Sequence, residues 1–109
     1  MRKARFPVLL GALALGACTA TPARQALVAH DLATAAIESV NDAYEAHLLT
    51  AEDLRSIAPY AEALRAAQQS LIAAAQSSAP TFASDIQAVH EATLALLRAR
   101  QAALAAHPH

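Results

Sequence analysis

The sequence is poor in glycine, aromatic residues and cysteine. It has two glycines, no tryptophan, two tyrosines, two phenylalanines and one cysteine. Both glycines, Gly11 and Gly16, lie near the start, so residues 17–109 have none. Glycine is common in turns and at breaks in helices and strands, whereas alanine, which dominates this region, is the best helix former. Valine and isoleucine occur singly and never alternate over the length of a strand. The sequence therefore predicts an all-α fold.

Positive charge is also scarce beyond the first few residues. The chain has eight basic and nine acidic residues, but Arg2, Lys3 and Arg5 stand together at the start. The remainder has five basic residues against nine acidic ones, a net charge of about −4. Nucleic-acid binding needs a basic face, and attraction to anionic lipid head groups needs clustered lysine or arginine. We therefore expect no nucleic-acid partner and no electrostatic membrane binding.

The basic start is followed by an apolar run at residues 6–17, which ends in the small residues Gly16 and Ala17. This order is typical of a secretory signal peptide. A retained transmembrane anchor is one alternative, but the run of about 12 residues is short of the roughly 20 that span a bilayer. Pro7 and Gly11 also weaken it as a membrane helix without forbidding one.

The sole cysteine directly follows these small residues, in Leu15-Gly16-Ala17-Cys18. The segment resembles the lipobox of bacterial lipoproteins. The resemblance implies that Cys18 carries a diacylglycerol and that the signal is cut just before it. We accordingly expect a signal peptide at residues 1–17, a lipidated tether at 18–23 and a helical domain at 24–109. Ordinary secretion, with Cys18 incidental, is the other alternative.

Lipidation of Cys18 has two further implications. No thiol would remain, which excludes disulfides, cysteine-based zinc sites and cysteine nucleophiles. Thr19 stands where some lipoproteins have an aspartate that retains them in the inner membrane. The resemblance thus implies a lipid anchor in the cell envelope, at the outer membrane facing the periplasm.

Three helices are expected in the domain, joined as an up-down-up antiparallel bundle because the connections are short. The first begins at Pro22 or Arg24 and ends near residue 49, the second covers about residues 51–77, and the third follows Thr81 and ends near residue 106. Pro59 predicts a kink or break near residues 56–58. We expect Thr50 and Thr81 to cap the second and third helices.

Helical periodicity predicts which side of each helix faces the core. The expected inner faces are Leu32, Ala33, Ala36, Ile37, Val40, Tyr44 and Leu48 on the first helix, Leu54, Ile57, Ala61, Leu64, Gln68, Leu71 and Ala75 on the second, and Phe82, Ile86, Val89, Thr93, Leu96, Leu97 and Leu104 on the third. Asp31, Glu38, Asp42 and Glu45 fall on the opposite side of the first helix, as a solvated acidic stripe.

An alanine-rich bundle of this size has a thin core, so a partner or a second copy would stabilise it. Gln68 and Arg100 fall on otherwise apolar faces, where they either lie at the edge of the bundle or mark a partner seam together with Leu94 and Leu96. Leu27, Leu94 and Leu96 at the borders of the inner faces favour self-association.

The histidines are the only residues with the chemistry of a metal site. His30 and His90 should lie at one height of the bundle, and His47, His107 and His109 at the other end. No two of the helical histidines have the i, i+4 spacing of helical ligands, so we expect no metal site and no cofactor. No serine stands in the context of a catalytic motif, and we predict that the chain is not an enzyme.

The leading hypothesis is a small non-enzymatic lipoprotein, a helical module that binds or spaces partners in the periplasm. Leu49-Thr50-Ala51-Glu52-Asp53 and the helical hairpin after it are similar to small alanine-rich lipoproteins of prophage lysis regions. That resemblance implies an accessory role at the envelope or in lysis. The alternative function is a periplasmic metal or small-ligand binding module that uses the histidines.

Overall fold

A computed structural model of the chain describes residues 21–77 and 81–107. They form three helices, α1 (Pro22–Glu45), α2 (Ala51–Ser77) and α3 (Phe82–Ala106), which pack as a three-helix bundle. The predicted all-α class and architecture are confirmed. The predicted signal peptide lies outside the described residues, as do Cys18, Thr19, residues 78–80 and His109. In the described part no helix is long and apolar enough to span a membrane.

The first helix starts as the sequence predicts but ends earlier. The Thr21 hydroxyl accepts a hydrogen bond from the Arg24 backbone N–H at 3.2 Å, and Pro22 occupies the first turn. At the other end His47 adopts a left-handed conformation with φ of 63°. The backbone N–H groups of His47 and Leu48 then bond to the carbonyls of Tyr44 and Ala43. This is a Schellman ending, in which glycine is the usual left-handed residue, so α1 stops at Glu45 rather than near residue 49.

The buried face of α1 differs from the one that we predicted. Its buried residues are Ala26, Ala29, Ala33, Ala36, Val40 and Ala43. Leu32, Tyr44 and Leu48, which we expected inside, are about two-fifths exposed. The buried positions alternate at spacings of three and four residues, which is the pattern of a helix that packs through a narrow stripe of side chains. Alanines allow close approach of the neighbouring helices, and the larger side chains are left at the edges.

The other two helices bury most of the residues that periodicity selects. Ile57, Leu64, Leu71, Val89 and Leu96 are the largest fully buried side chains. The prediction is wrong at two positions, because Ala74 is buried in place of Ala75 and Leu97 is 37% exposed. The helices α2 and α3 make the most extensive contact, and α1 with α2 the least. The core is therefore centred on the α2–α3 hairpin, against which α1 packs with small residues.

The start of α2 has reciprocal capping. The Asp53 N–H donates to the Thr50 hydroxyl at 3.1 Å, and the Thr50 N–H donates to the Asp53 carboxylate at 2.8 Å. The predicted cap is thus confirmed as a capping box with aspartate at the third position. Helix α2 continues through Pro59, so the predicted break is wrong, while the kink that was the other expectation stays a prediction. Pro59 is exposed, and the carbonyl that lacks its N–H partner can bond to solvent on that side.

The start of α3 is arranged differently. Thr81 occupies the cap position, but its side chain makes no capping bond to a backbone N–H. Its hydroxyl donates instead to the Asp85 carboxylate at 3.0 Å, while the Asp85 N–H bonds to the Thr81 carbonyl. Thr81 is therefore the cap by position, as predicted, and it acts through its backbone carbonyl.

Candidate functional site

In the described part of the chain, a polar contact connects each pair of helices. The first involves Gln68, which is buried on α2 with 8% of its surface exposed. Its amide nitrogen lies 3.3 Å from the His30 carbonyl, from the Thr34 hydroxyl and from His30 Nδ1. The Thr34 hydroxyl in turn donates to the His30 carbonyl at 3.0 Å. A buried amide needs such partners, so Gln68 sets the register of α2 against α1.

The second contact joins α1 to α3. Arg100 Nε donates to the Ser39 carbonyl at 3.3 Å, and the arginine is half-buried. The Ser39 hydroxyl donates to the Ala36 carbonyl at 2.7 Å. Arg100 thus uses part of its hydrogen-bonding capacity within the chain, and the rest of its guanidinium remains accessible at the edge of the bundle.

The third contact lies at the end of the bundle where α2 begins and α3 ends. His107 Nε2 is 3.0 Å from one Asp53 carboxylate oxygen and 3.2 Å from the other. The pKa of Asp53 is lowered, chiefly by the hydrogen bond from the Thr50 backbone N–H; desolvation opposes this effect, and the contacts with His107 and with the Thr50 side chain add to it. The same carboxylate therefore caps the start of α2 and binds His107, the residue directly after α3.

A groove opens between α1 and α2, the pair of helices with the least mutual contact. Val40 and Ile57 are buried in it, and Ile37, Leu54 and Ala61 are half-buried. Exposed residues at its edge are Asn41 on α1 and Ala58, Glu62 and Arg65 on α2. An apolar centre with a few polar groups around it is the usual composition of a binding surface. We did not predict this groove. Helical periodicity selects its apolar residues as inner-face positions, but it does not indicate how completely each of them is buried.

The four residues of the predicted partner seam lie in different places. Gln68 and Leu96 are buried, and Leu96 has no exposed surface, so neither can contribute to a surface. Arg100 is half-buried, and Leu94 is 51% exposed on α3. Leu27, which we associated with self-association, is 61% exposed on α1. The structure therefore does not bring these residues together as one surface strip, and the partner seam stays a prediction.

The histidines of the described region are separated. His30 contacts Gln68, His107 contacts Asp53, and His90 is half-buried on α3. Among residues 21–77 and 81–107, no group of three or more His, Cys, Asp or Glu side chains is placed to hold a metal ion. His30 and His107 thus have protein partners, which sequence spacing did not reveal.

Most hydroxyl groups in the described segments bond along their own helix. Ser56 and Ser77 donate to carbonyls of the preceding turn, as does the buried Thr93, which reaches the Val89 carbonyl at 2.8 Å. These hydroxyl groups use their hydrogen atoms in bonds to the backbone of their own helix. That the chain is not an enzyme stays a prediction.

Comparisons of the chain with known protein families, with curated proteins and with solved structures found no match in any of the three.

Proposed function

We propose that the chain is the precursor of a small lipid-anchored protein of the bacterial envelope, and that its helical bundle binds or spaces partners in the periplasm. The observation that carries the proposal is Leu15-Gly16-Ala17-Cys18, which follows a basic start and an apolar run and contains the only cysteine. The outer membrane is the proposed location because Thr19, rather than an aspartate, follows that cysteine.

The first helix begins close to the proposed anchor at Cys18. Only three residues separate Cys18 from the first residue of α1. A chain covers at most about 3.6 Å per residue, so Pro22 would lie within roughly 14 Å of the lipidated residue. The opposite end of α1 is about 36 Å away at 1.5 Å per residue. If α1 stands upright on the membrane, an anchored bundle presents the α1–α2 turn on its far side, where a partner could reach it.

A more specific role in a prophage lysis region rests on the resemblance at residues 49–53. In the structure Thr50 and Asp53 of that segment form the capping box of α2. Gene neighbourhood tests this part of the proposal. Adjacent lysis genes would support it, whereas adjacent metal-efflux genes would favour a ligand-binding module.

Metabolic labelling with palmitate tests the anchor. We expect label in the wild-type protein and none in Cys18→Ser, because the thioether forms only on the thiol. Ala20→Ser is the matched control, since it changes a neighbouring small residue and leaves the cysteine in place; it should retain the label. Equal labelling of Cys18→Ser and the wild type would contradict the proposal.

A further inference from the structure

Helix α3 has a strip of exposed side chains at a regular spacing. Its five residues follow one another at steps of four, three, four and three positions: Gln87, Glu91, Leu94, Arg98 and Gln101. At 100° per residue they fall within about 80° of the helix surface. This spacing is typical of a helix face that packs against another helix, as in a coiled coil. All five side chains are exposed, so no helix of the described part of the chain covers this α3 strip.

Two more exposed leucines lie beside the α3 strip, Leu97 on α3 and Leu32 on α1. Leu97 is between Leu94 and Arg100, about 60° round the helix from each. Leu32 is about 20° from Ser39 round α1, and the Ser39 carbonyl accepts the hydrogen bond of Arg100. Because α1 and α3 run in the same direction, this bond places Leu32 within about one helical turn of the level of Leu94. The strip and the two leucines thus form one face with an apolar centre.

The α3 strip is nearly symmetric about Leu94. Gln87 and Gln101 are each seven residues from it. Glu91 is three residues before it, and Arg98 is four residues after it. A second α3 lying antiparallel on the strip, Leu94 against Leu94, therefore places Glu91 within one residue of the level of Arg98 of the other copy, and like charges about 9 Å apart along the axis. A parallel α3 would place Glu91 against Glu91 and Arg98 against Arg98. The charges therefore favour the antiparallel arrangement.

The two charged residues of the strip have no charged partner within the described segments. The only ion pair in residues 21–77 and 81–107 joins His107 to Asp53. The Glu91 carboxylate accepts a hydrogen bond from Gln87 through Oε1 at 3.3 Å, and a carboxylate has room for further donors. Arg98 is exposed, so its guanidinium can reach a carboxylate of a second copy.

The remaining charges of α3 and those of α1 lie off this face. Asp85 and Arg100 are at least 120° round α3 from the middle of the strip. The acidic stripe of α1 lies opposite that helix's buried alanines. The charged residues of α1 nearest to Leu32 round the helix are Asp42 and Arg24, each about 80° away and about 12–15 Å further along the axis. The other three carboxylates are about 100° or more from Leu32, so Glu91 and Arg98 decide the charge pattern of the face.

We propose that a second copy of this chain docks antiparallel on the α3 strip, with Leu94 against Leu94 and Glu91 of each copy paired with Arg98 of the other. The contact has two-fold symmetry, so the same surface serves both copies and the charge pair occurs twice. Leu97 and Leu32 of both copies border the centre and lose exposed apolar surface, which favours association. Self-association through α3 goes beyond the proposed function.

The antiparallel pair is compatible with the proposed anchor. It places the starts of the two α1 helices at opposite ends, and each would lie within roughly 14 Å of its own lipidated residue. A pair whose helices lie along the membrane surface would therefore let both tethers reach the same membrane. The pairing does not depend on the anchor, because it uses only side chains of α1 and α3.

Disulfide crosslinking of the full chain tests the geometry. Cys18→Ser removes the native thiol, and Gln87→Cys or Gln101→Cys then introduces one at either end of the strip. After mild oxidation of an equal mixture, we expect position 87 of one copy to be linked to position 101 of the other in well over the half of the products that random pairing gives. Mass spectrometry of the linked peptides identifies the products. An excess of links between like positions would show a parallel pair and overturn the proposal.

Charge reversal tests the pairing. Sedimentation equilibrium of the full chain with Cys18→Ser, in a density-matched non-ionic detergent, measures the dimerisation constant. The pH is 8, where histidine is ordinarily neutral, because His90 lies beside the strip. Glu91→Arg and Arg98→Glu should each weaken association about tenfold, since both charge pairs of the two-fold contact become repulsive. Mixing the two variants should restore it, because basic and acidic strips then face each other. Arg55→Glu, at an exposed position on α2, is the matched control and should associate like the parent chain.

Replacing the central leucine tests the apolar part of the contact. Leu94→Gln should weaken association about tenfold or more, whereas Leu27→Gln, at an exposed leucine about 140° round α1 from Leu32, should have no effect. Circular dichroism of each variant checks that the helices are intact. A parent chain that is still monomeric at about 1 mM, no recovery in the mixture of charge variants, or an equal loss in Leu27→Gln would overturn the proposal. Every chain in these measurements lacks the Cys18 thiol, so their outcome leaves the proposed anchor to the palmitate labelling.

Discussion

Enlarging Ala29 tests the packing of α1 directly. Ala29 has no exposed surface and is the second of the six buried positions along α1. Ala29→Leu adds three carbon atoms where the neighbouring helices approach closely, so α1 must move outward or the side chain must adopt a strained rotamer. Overpacking of this kind costs about 1–3 kcal/mol. A domain of this size has a free energy of unfolding of only about 4–13 kcal/mol, so the loss is a large share of the total.

The assay is urea and thermal unfolding of the chain from residue 18 onward with Cys18→Ser, followed by far-UV circular dichroism. We expect the melting temperature to fall by roughly 5–20 °C, since 1 kcal/mol corresponds to about 4–8 °C in a domain this small. Ala35→Leu is the control, because Ala35 is exposed on the same helix and leucine is nearly as good a helix former. If Ala29→Leu is as stable as Ala35→Leu, α1 does not pack through its alanines.

Three further variants and one binding measurement test other parts of the structure. His47→Gly should stabilise the bundle by about 0.5–1 kcal/mol in urea unfolding, because glycine tolerates the left-handed φ of 63° that histidine adopts at the end of α1. A urea midpoint that is unchanged or lower contradicts the Schellman ending. Leu64→Ala should cost about 2–5 kcal/mol, whereas Leu94→Ala at the exposed position should cost far less, and equal losses would place the core elsewhere. The pKa of Asp53 is lowered in the folded state, so its stabilising effect is present above the ordinary pKa of an aspartate and is lost as the pH falls through the lower folded pKa; the wild type should exceed Asp53→Asn in stability at pH 7, and a gap that does not narrow in acid refutes this. Calorimetry should find no zinc binding tighter than micromolar, and stoichiometric binding that His30→Ala with His90→Ala abolishes would show that these histidines form a site.

Much of the fold could be predicted because helix formation here is a local property. The absence of glycine after Gly16 and the expected caps at Thr50 and Thr81 place most helix ends within a few residues of their observed bounds. The end of α1 could not be predicted, since a histidine takes the left-handed position that glycine usually marks. The rotation of α1 was also missed, because large side chains dominate a periodicity analysis and the buried face is made of alanine.

The candidate site was less accessible to sequence reasoning. Gln68 stood out as a polar residue on an apolar face, but its partners His30 and Thr34 lie 38 and 34 residues away in the chain. The contact between Asp53 and His107 likewise depends on tertiary packing between the start of α2 and the end of α3. Residue type can indicate that a side chain needs a partner, whereas only the packing of helices decides which partner it finds.

The packing of α1 has a consequence for how the molecule opens. All five of the largest fully buried side chains belong to α2 and α3, and none to α1. Releasing α1 therefore exposes less apolar surface than separating the other two helices, so backbone amides of α1 should exchange with solvent through a sub-global opening that leaves the hairpin closed. The helix nearest the proposed anchor is thus also the one most readily released, and a load applied between the membrane and a bound partner would reach it first.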